Sequence, residues 1–217
     1  MDIETPAALI DQHRMAGNIA RMQDHLSALG VRLRPHVKTS KCIEVARAQQ
    51  EAGAVGITVS TLKEAEQFFA AGFSDVLYAV CIAPDKLDRA LALIAKGCAL
   101  TLLVDSVAAA EAVVAKGKVA NETFNVMIEI DSDGHRSGVQ PEAPELIEIG
   151  RVLQAGGATV KGVLTHAGSS YDLDTSEALQ RLAEQERSLT VLAAERLRAA
   201  GLPCGEVSVG STPTALS

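Results

Sequence analysis

No cysteine pair of the C-x-x-C kind occurs in this chain. Its four cysteines, Cys42, Cys81, Cys98 and Cys204, are widely and irregularly spaced. That spacing makes a poor zinc site and reads as free thiols in the cytoplasm. Tryptophan is absent, and aromatic residues make up only 3%. Positive charge is in deficit: 20 Lys and Arg stand against 27 Asp and Glu, a formal net charge of -7. A general nucleic-acid binder needs clustered Lys and Arg to neutralise phosphates, so this balance argues against one. Charges break every apolar run well short of a membrane span. The opening Met1-Asp2-Ile3-Glu4 is acidic where a secretory signal would be basic. No G-x-G-x-x-G follows the first strand-like run and no G-x-x-x-x-G-K occurs, so dinucleotide-binding and P-loop readings lack their main signature. With no low-complexity tract or long linker, residues 1–217 read as one domain.

Hydrophobic residues make up 47% of the 217 and charged residues 22%, which excludes a mostly disordered chain. A chain of this length buries roughly 70% of its unfolded surface and needs no disulfide staples. Short, continuously apolar runs alternate with amphipathic stretches. The runs are Val31–Lys38, Val55–Ser60, Asp75–Val80, Ala99–Asp105, Asn125–Asp131, Val160–His166 and Glu206–Gly210. The stretches between them predict helices over Ile43–Ala52, Leu62–Ala71, Asp85–Lys96, Val107–Lys116, Glu142–Ala155 and Thr175–Ala200. Gly30, Gly53, Gly72, Gly97, Gly117, Gly156 and Gly201 fall where such helices would end. Repeated β-α units with short loops mean a parallel sheet with right-handed crossovers. A barrel needs eight strands and usually about 250 residues. Seven are counted from Val31, and Ala7–Asp11, followed by a helix from Met15 to Leu29, reads as another strand that either supplies the eighth or pairs elsewhere.

Barrel chemistry collects at the C-terminal ends of strands. Four ends are rich in polar groups: Pro35–Lys41, Glu129–Gly138, Thr165–Tyr171 and Ser208–Thr214. The ends at Ser60-Thr61, Cys81 and Asp105 are plainer. Lys38 is the candidate nucleophile, because a desolvated strand-end lysine can present a free amine; the alternative is a solvated member of a basic run with Arg34 and Lys41. Gly210-Ser211-Thr212 reads either as a phosphate nest or as a turn before Pro213. Arg136 could hold a phenolate, carboxylate or phosphate, or pair with Asp131 or Asp133. Tyr171 could meet a ring nitrogen or pack over the mouth. His36 and His166 read as support, and two acids in one loop are weak evidence for a cation. A strand-end lysine, an arginine, a tyrosine and a phosphate loop together suggest pyridoxal phosphate.

Arg34-Pro35-His36-Val37-Lys38-Thr39-Ser40-Lys41, Glu129-Ile130-Asp131 through Arg136-Ser137-Gly138-Val139, His166-Ala167-Gly168-Ser169-Ser170-Tyr171 and Val207 to Thr214 resemble the D-threonine aldolase and D-serine dehydratase family. This is a fold-type III pyridoxal-phosphate group, and Glu4-Thr5-Pro6-Ala7 resembles its N-terminal start. The resemblance implies a TIM-type (β/α)8 barrel of the alanine racemase N-terminal kind, incomplete here at its last strand. It implies Lys38 as the catalytic, Schiff-base residue, and Arg136 near the cofactor's phenolic oxygen. It also implies Tyr171 near the pyridine nitrogen, Gly210, Ser211 and Thr212 at the phosphate, and His166 as a wall. Ser40 departs from the Thr-His-Lys usual after the lysine. The implied reaction is dehydration or retro-aldol cleavage of a β-hydroxy D-amino acid, helped by a divalent metal. That metal's ligands lie in a C-terminal β-domain which would follow Ser217, so no metal ligand is assigned within this chain.

The runner-up is a non-catalytic pyridoxal-phosphate homeostasis protein of single-barrel type, which length favours and the motifs do not. A third reading, a plain phosphate-binding barrel, leaves Lys38 and Arg136 unexplained. Partners are then a small D-amino acid and, because family members are commonly dimers, a second copy of the chain. A barrel missing its closing strand would leave Val207–Gly210 as an unpaired edge, which promotes association.

Overall fold

The computed structural model describes residues 4–217; the acidic opening Met1-Asp2-Ile3 lies outside them. The chain begins with helix α1 (Gln12–Ala28), then α2 (Ile43–Glu51). Strands and helices alternate from there: β1 (Ile57–Val59), α3 (Leu62–Ala70), β2 (Asp75–Cys81), α4 (Leu87–Ile94), β3 (Ala99–Val104) and α5 (Val107–Ala120). The series ends with β4 (Asn125–Ile130), α6 (Pro144–Ala155), β5 (Thr159–Thr165), α7 (Ser176–Ala199) and β6 (Glu206–Ser208). All six strands pair in parallel, in the order β1 to β6. The result is a parallel half-barrel wall with helices packed on its outside.

Local chemistry sets the helix boundaries. At α3 the Thr61 hydroxyl accepts from the Glu64 N–H at 3.0 Å, and the Glu64 carboxylate accepts from the N–H groups of Ser60 (2.8 Å) and Thr61 (3.2 Å). Such a capping box is worth about 1 kcal/mol or more. Asp11, Ser106 and Thr175 cap α1, α5 and α7 in the simpler way. Helix α5 runs past the predicted end at Lys116, because Gly117 lies inside it and Asn121 takes the left-handed cap at φ 53°. Gly117 serves packing: a side chain there would meet the Glu122 carbonyl and the Phe124 ring.

Residues on alternate sides of the strands form two apolar layers. Val76, Tyr78, Leu100, Leu102, Val126 and Ile128 face the helices and join the main core. Leu77, Leu103, Met127 and Leu164 form a separate cluster on the opposite, concave face. Near-continuous burial along β3 and β4 follows from cover on both sides.

Two strand expectations fail, and the last strand is shorter than expected. Ala7–Asp11 forms no strand; Leu9 is 77% exposed, and Asp11 is the N-cap of α1. Val31–Lys38 is no full strand either. It runs beside β1 with Val55 N–H donating to the Leu33 carbonyl, Thr58 N–H to Pro35 and Val37 N–H to Thr58, yet only His36 and Thr58 form a bridge. Pro35 has no N–H for the next rung, so the ladder stops there. The last strand ends at Ser208 rather than Gly210 and pairs only with β5. Its far side is an open edge, with Val207 and Val209 partly exposed. Among the described residues the sheet does not close.

Candidate active site

The turn after the His36 bridge and the C-terminal ends of β4, β5 and β6 bring the predicted site residues toward one mouth. Lys38 sits in the turn after Val37, exposed, its main-chain N–H donating to His36 Nδ1 at 3.2 Å. The basic run splits into distinct roles. Arg34 forms a two-point pair with Asp75 at 2.9 and 2.8 Å. Lys41, at φ 47°, reaches the buried Glu64 at 3.1 Å. Among the described residues, Lys38 alone of the three makes no ion pair. Its two cationic neighbours are spoken for and its amine is left to the mouth.

Two neutral histidines flank that amine. Burial, then the Lys38 charge, push His36 from an ordinary 6.5 down to about 4, against the pull of Glu64. A main-chain N–H can only donate, so His36 Nδ1 accepts and its Nε2–H points to the Ser60 hydroxyl at 3.1 Å. His166 is also lowered, by burial first and then by Arg136 and Lys38, although its bond to Gly210 opposes the shift. A carbonyl only accepts, so His166 Nδ1 donates to Gly210 at 3.3 Å and ties the end of β5 to the loop after β6. The ring of Tyr171 lies 5.9 Å from that of His166, tilted by 39°. Tyr171 is 59% exposed, on a 3-10 turn over Gly168–Asp172.

Arg136 does not pair with Asp131 or Asp133. Those carboxylates serve the loop itself. Asp131 accepts from the Gly134 N–H (2.8 Å) and from Gln140 (2.7 Å). Asp133 accepts from the Ser169 N–H (2.9 Å) and hydroxyl (2.8 Å). The Arg136 loop is thereby latched to the turn after β5, and its stem lies where any side chain on Gly168 would be. Gly138 closes the loop at φ 119°, against the main chain of Ile130 and Asp131.

The loop after β6 has an outward and an inward set of groups. Gly210, at φ 130°, has open space where a Cβ would sit. The N–H groups of Gly210 and Thr212 and the exposed Thr212 hydroxyl have no partner among the described residues. Ser211 is buried, its N–H and hydroxyl both bonded to Thr214. What this loop offers an anion is therefore main-chain donors at Gly210 and Thr212 plus one hydroxyl, a set that suits a phosphate.

One cluster escaped the sequence reading. Cys81, Asp105 and Glu129 gather from the ends of β2, β3 and β4, their ligand-type atoms within 4.8 Å of one another. Cys81 Sγ donates to Glu129 at 2.9 Å. Burial first, and then the two carboxylates, push this thiol far up, so it stays protonated. The available signal was alternation: Leu77-x-Ala79-x-Cys81, Leu103-x-Asp105 and Met127-x-Glu129 each keep one face of the strand.

This arrangement has close counterparts. The family model described as alanine racemase, N-terminal domain, matches residues 10–217. The chain belongs to the alanine racemase N-terminal domain family. D-threo-3-hydroxyaspartate dehydratase of Delftia sp. (strain HT23) is 65% identical over 218 residues, covering 100% of this chain and 57% of that protein. A solved structure of that dehydratase matches with a TM-score of 0.97 at 66% identity, over 99% of this chain and 57% of that one. D-serine dehydratase of Dictyostelium discoideum is 31% identical over 98% of this chain and 57% of its own. The D-threonine aldolase structure from Filomicrobium marinum matches at a TM-score of 0.86 and 28% identity, over 95% of this chain and 56% of that one. The chain thus spans little more than half the length of these relatives. No helix among the described residues is long and apolar enough to cross a membrane.

Proposed function

We propose that this chain carries the cofactor-binding part of a pyridoxal-phosphate-dependent lyase for β-hydroxy D-amino acids, with dehydration of D-threo-3-hydroxyaspartate as the leading reaction. One observation carries it: of Arg34, Lys38 and Lys41, Lys38 alone makes no ion pair among the described residues, and its charge acts on both His36 and His166 at the mouth that also holds the open Gly210 loop. The residues present fit the cofactor. Lys38 would hold its aldehyde, the N–H groups of Gly210 and Thr212 its phosphate, Arg136 its phenolic oxygen and Tyr171 its pyridine nitrogen, with His166 as a wall. Bound there, pyridoxal phosphate supplies an electron sink for bond breaking at the substrate Cα.

The chain's own residues do the rest. Lys38 Nζ takes the proton from Cα. Neutral His36 and His166 add no positive charge that would compete for the substrate's carboxylate. The choice of leaving group rests on the kinship at 65% identity to a dehydratase, and a divalent metal is expected only in the complete family enzyme. Four free thiols support a cytoplasmic setting.

The test has two arms. Pyridoxal 5′-phosphate added to the purified chain should give a visible absorbance band that borohydride fixes on Lys38. Lys38→Ala should abolish it and Lys41→Ala should keep it. Incubation with D-threo-3-hydroxyaspartate and divalent metal should then release oxaloacetate and ammonia. Glycine and glyoxylate would instead report retro-aldol cleavage. A fixed cofactor with no turnover, here and in a C-terminally extended chain, would favour the non-catalytic carrier. No band at all would end the reading.

A further inference from the structure

Glu186 stands on α7, a helix whose other acids face water, yet Glu186 is 2% exposed. Among the described residues neither carboxylate oxygen meets a cation; both accept hydrogen bonds. Oε1 takes the Ala167 N–H at 2.9 Å, and Oε2 takes the Thr214 hydroxyl at 2.9 Å. Those two donors belong to different loops, one after β5 and the other after β6. A single buried side chain therefore spans the two loops that hold His166 and Gly210.

The consequence runs further through the hydroxyls. A hydroxyl has one proton. Thr214 gives its proton to Glu186, so toward Ser211 it can only accept. It accepts twice there, from the Ser211 N–H at 3.0 Å and from the Ser211 hydroxyl at 2.9 Å. Ser211, its proton spent, can then only accept from the Ser170 hydroxyl at 2.7 Å. All four side chains are buried. One acceptor at the end thus sets every proton in the chain Ser170 to Ser211 to Thr214 to Glu186.

We propose that Glu186 is the positioning residue of the phosphate loop: it draws the hydroxyls of Ser170, Ser211 and Thr214 inward, so that the loop presents only the outer donors of Gly210 and Thr212 to a phosphate ester. A carboxylate beneath an anion site would be unfavourable if it faced the anion. Here its charge is taken up by the inner donors, and its effect on the ligand is exerted through loop geometry. The inference rests on the cofactor reading above.

Glu186→Gln keeps the shape, and its one oxygen serves the Ala167 N–H; its amide N–H₂ then donates to the Thr214 hydroxyl, which can no longer give its proton to residue 186, so the inward order of the protons is lost. The experiment compares pyridoxal 5′-phosphate with pyridoxal, which lacks the phosphate, as ligands of Lys38, and follows thermal unfolding alongside. Loss of a hydrogen bond to a charged group corresponds to about tenfold or more in affinity. Glu186→Gln should therefore weaken pyridoxal 5′-phosphate by about tenfold and leave pyridoxal within about twofold. Thr214→Val should reproduce that split, and Thr214→Ser should restore the wild-type ratio. Folded Glu186→Gln or Thr214→Val chains with the wild-type ratio, or with both ligands weakened equally, would overturn the assignment. Wild-type chain that binds neither ligand would instead overturn the cofactor reading, and this assignment with it.

Discussion

His36 and Lys38 are joined by a hydrogen bond in which the main-chain N–H of the lysine donates to the Nδ1 of the histidine, 3.2 Å away. A protonated His36 could not accept it. Burial and the Lys38 charge hold His36 at about 4 in the folded chain, against 6.5 for an ordinary histidine. Between those values the unfolded chain binds the extra proton. The His36 contribution to stability should therefore fall as pH drops from about 6.5 to about 4 and change no further below that. His36→Asn can still accept from Lys38 and should flatten that decline by roughly 1–2 kcal/mol, the value being reduced because solvent still reaches the ring. A smaller slope should remain from His166, which is lowered too. Urea unfolding across this pH range reads both.

The same turn shows what the sequence made legible. Helix boundaries at α2, α3, α6 and α7 could be read to within about two residues, because their caps and glycines are local signals. Lys38 and the loops of Arg136, Tyr171 and Gly210 were legible because polar clusters break apolar strands. The misses are all non-local. Leu9 and Ile10 look like strand residues, but strand formation needs a partner, and none stands beside them among the described residues. Pro35 stops a ladder whose other half lies 23 residues on, at Thr58. Glu186 is one glutamate on a charged helix until Thr214 and Ala167 are known to face it. The cluster of Cys81, Asp105 and Glu129 depends on the register of three parallel strands.

Gly162 stands opposite Glu206 where β5 pairs with β6. A Cβ there would overlap the main chain of Glu206. Gly162→Ala should push β6 off the wall and cost about 2–4 kcal/mol in chemical denaturation. It should also loosen the Gly210–Thr214 loop that follows. Gly205→Ala is the control: its new methyl would find its nearest neighbour at an ordinary 3.7 Å, so stability should change little.

Thiol chemistry separates Cys81 from its fellows. Cys42 is only partly buried and bonded to Glu44 at 3.1 Å, near the surface. Cys81 faces two carboxylates that oppose its ionisation, and burial raises Cys98 to about 11 and lifts Cys204 as well. Iodoacetamide on the native chain at pH 8 should modify Cys42 first. Cys81 should react at least about tenfold more slowly, because the thiolate is the nucleophile. Glu129→Gln removes one opposing charge and should raise the Cys81 rate, read by peptide mass spectrometry. Equal rates at Cys42 and Cys81 would refute the cluster's electrostatics.

Asp133 holds the Arg136 loop to the turn after β5 through both donors of Ser169. Burial alone would raise its carboxyl; the Ser169 bonds and the His135 N–H outweigh that and hold it below its ordinary 3.8. Its stabilising contribution is thus present above 3.8 and lost as pH falls through the lowered folded value. Asp133→Ala removes both the Oδ2 that the two Ser169 donors share and the Oδ1 that takes the His135 N–H. At pH 7 it should cost about 1.5–3 kcal/mol, the range for hydrogen bonds to a charged group. The cost should shrink below pH 3.8, where the wild-type carboxylate begins to protonate. Released from Ser169, residues 132–138 should exchange their amide hydrogens faster, and Arg136 should lose its fixed place over Gly168. Ser169→Ala removes one of the two donors from the other side and should produce a smaller change of the same kind. Unchanged exchange in this loop at pH 7 in Asp133→Ala would show that packing on Gly168, rather than the latch, places Arg136.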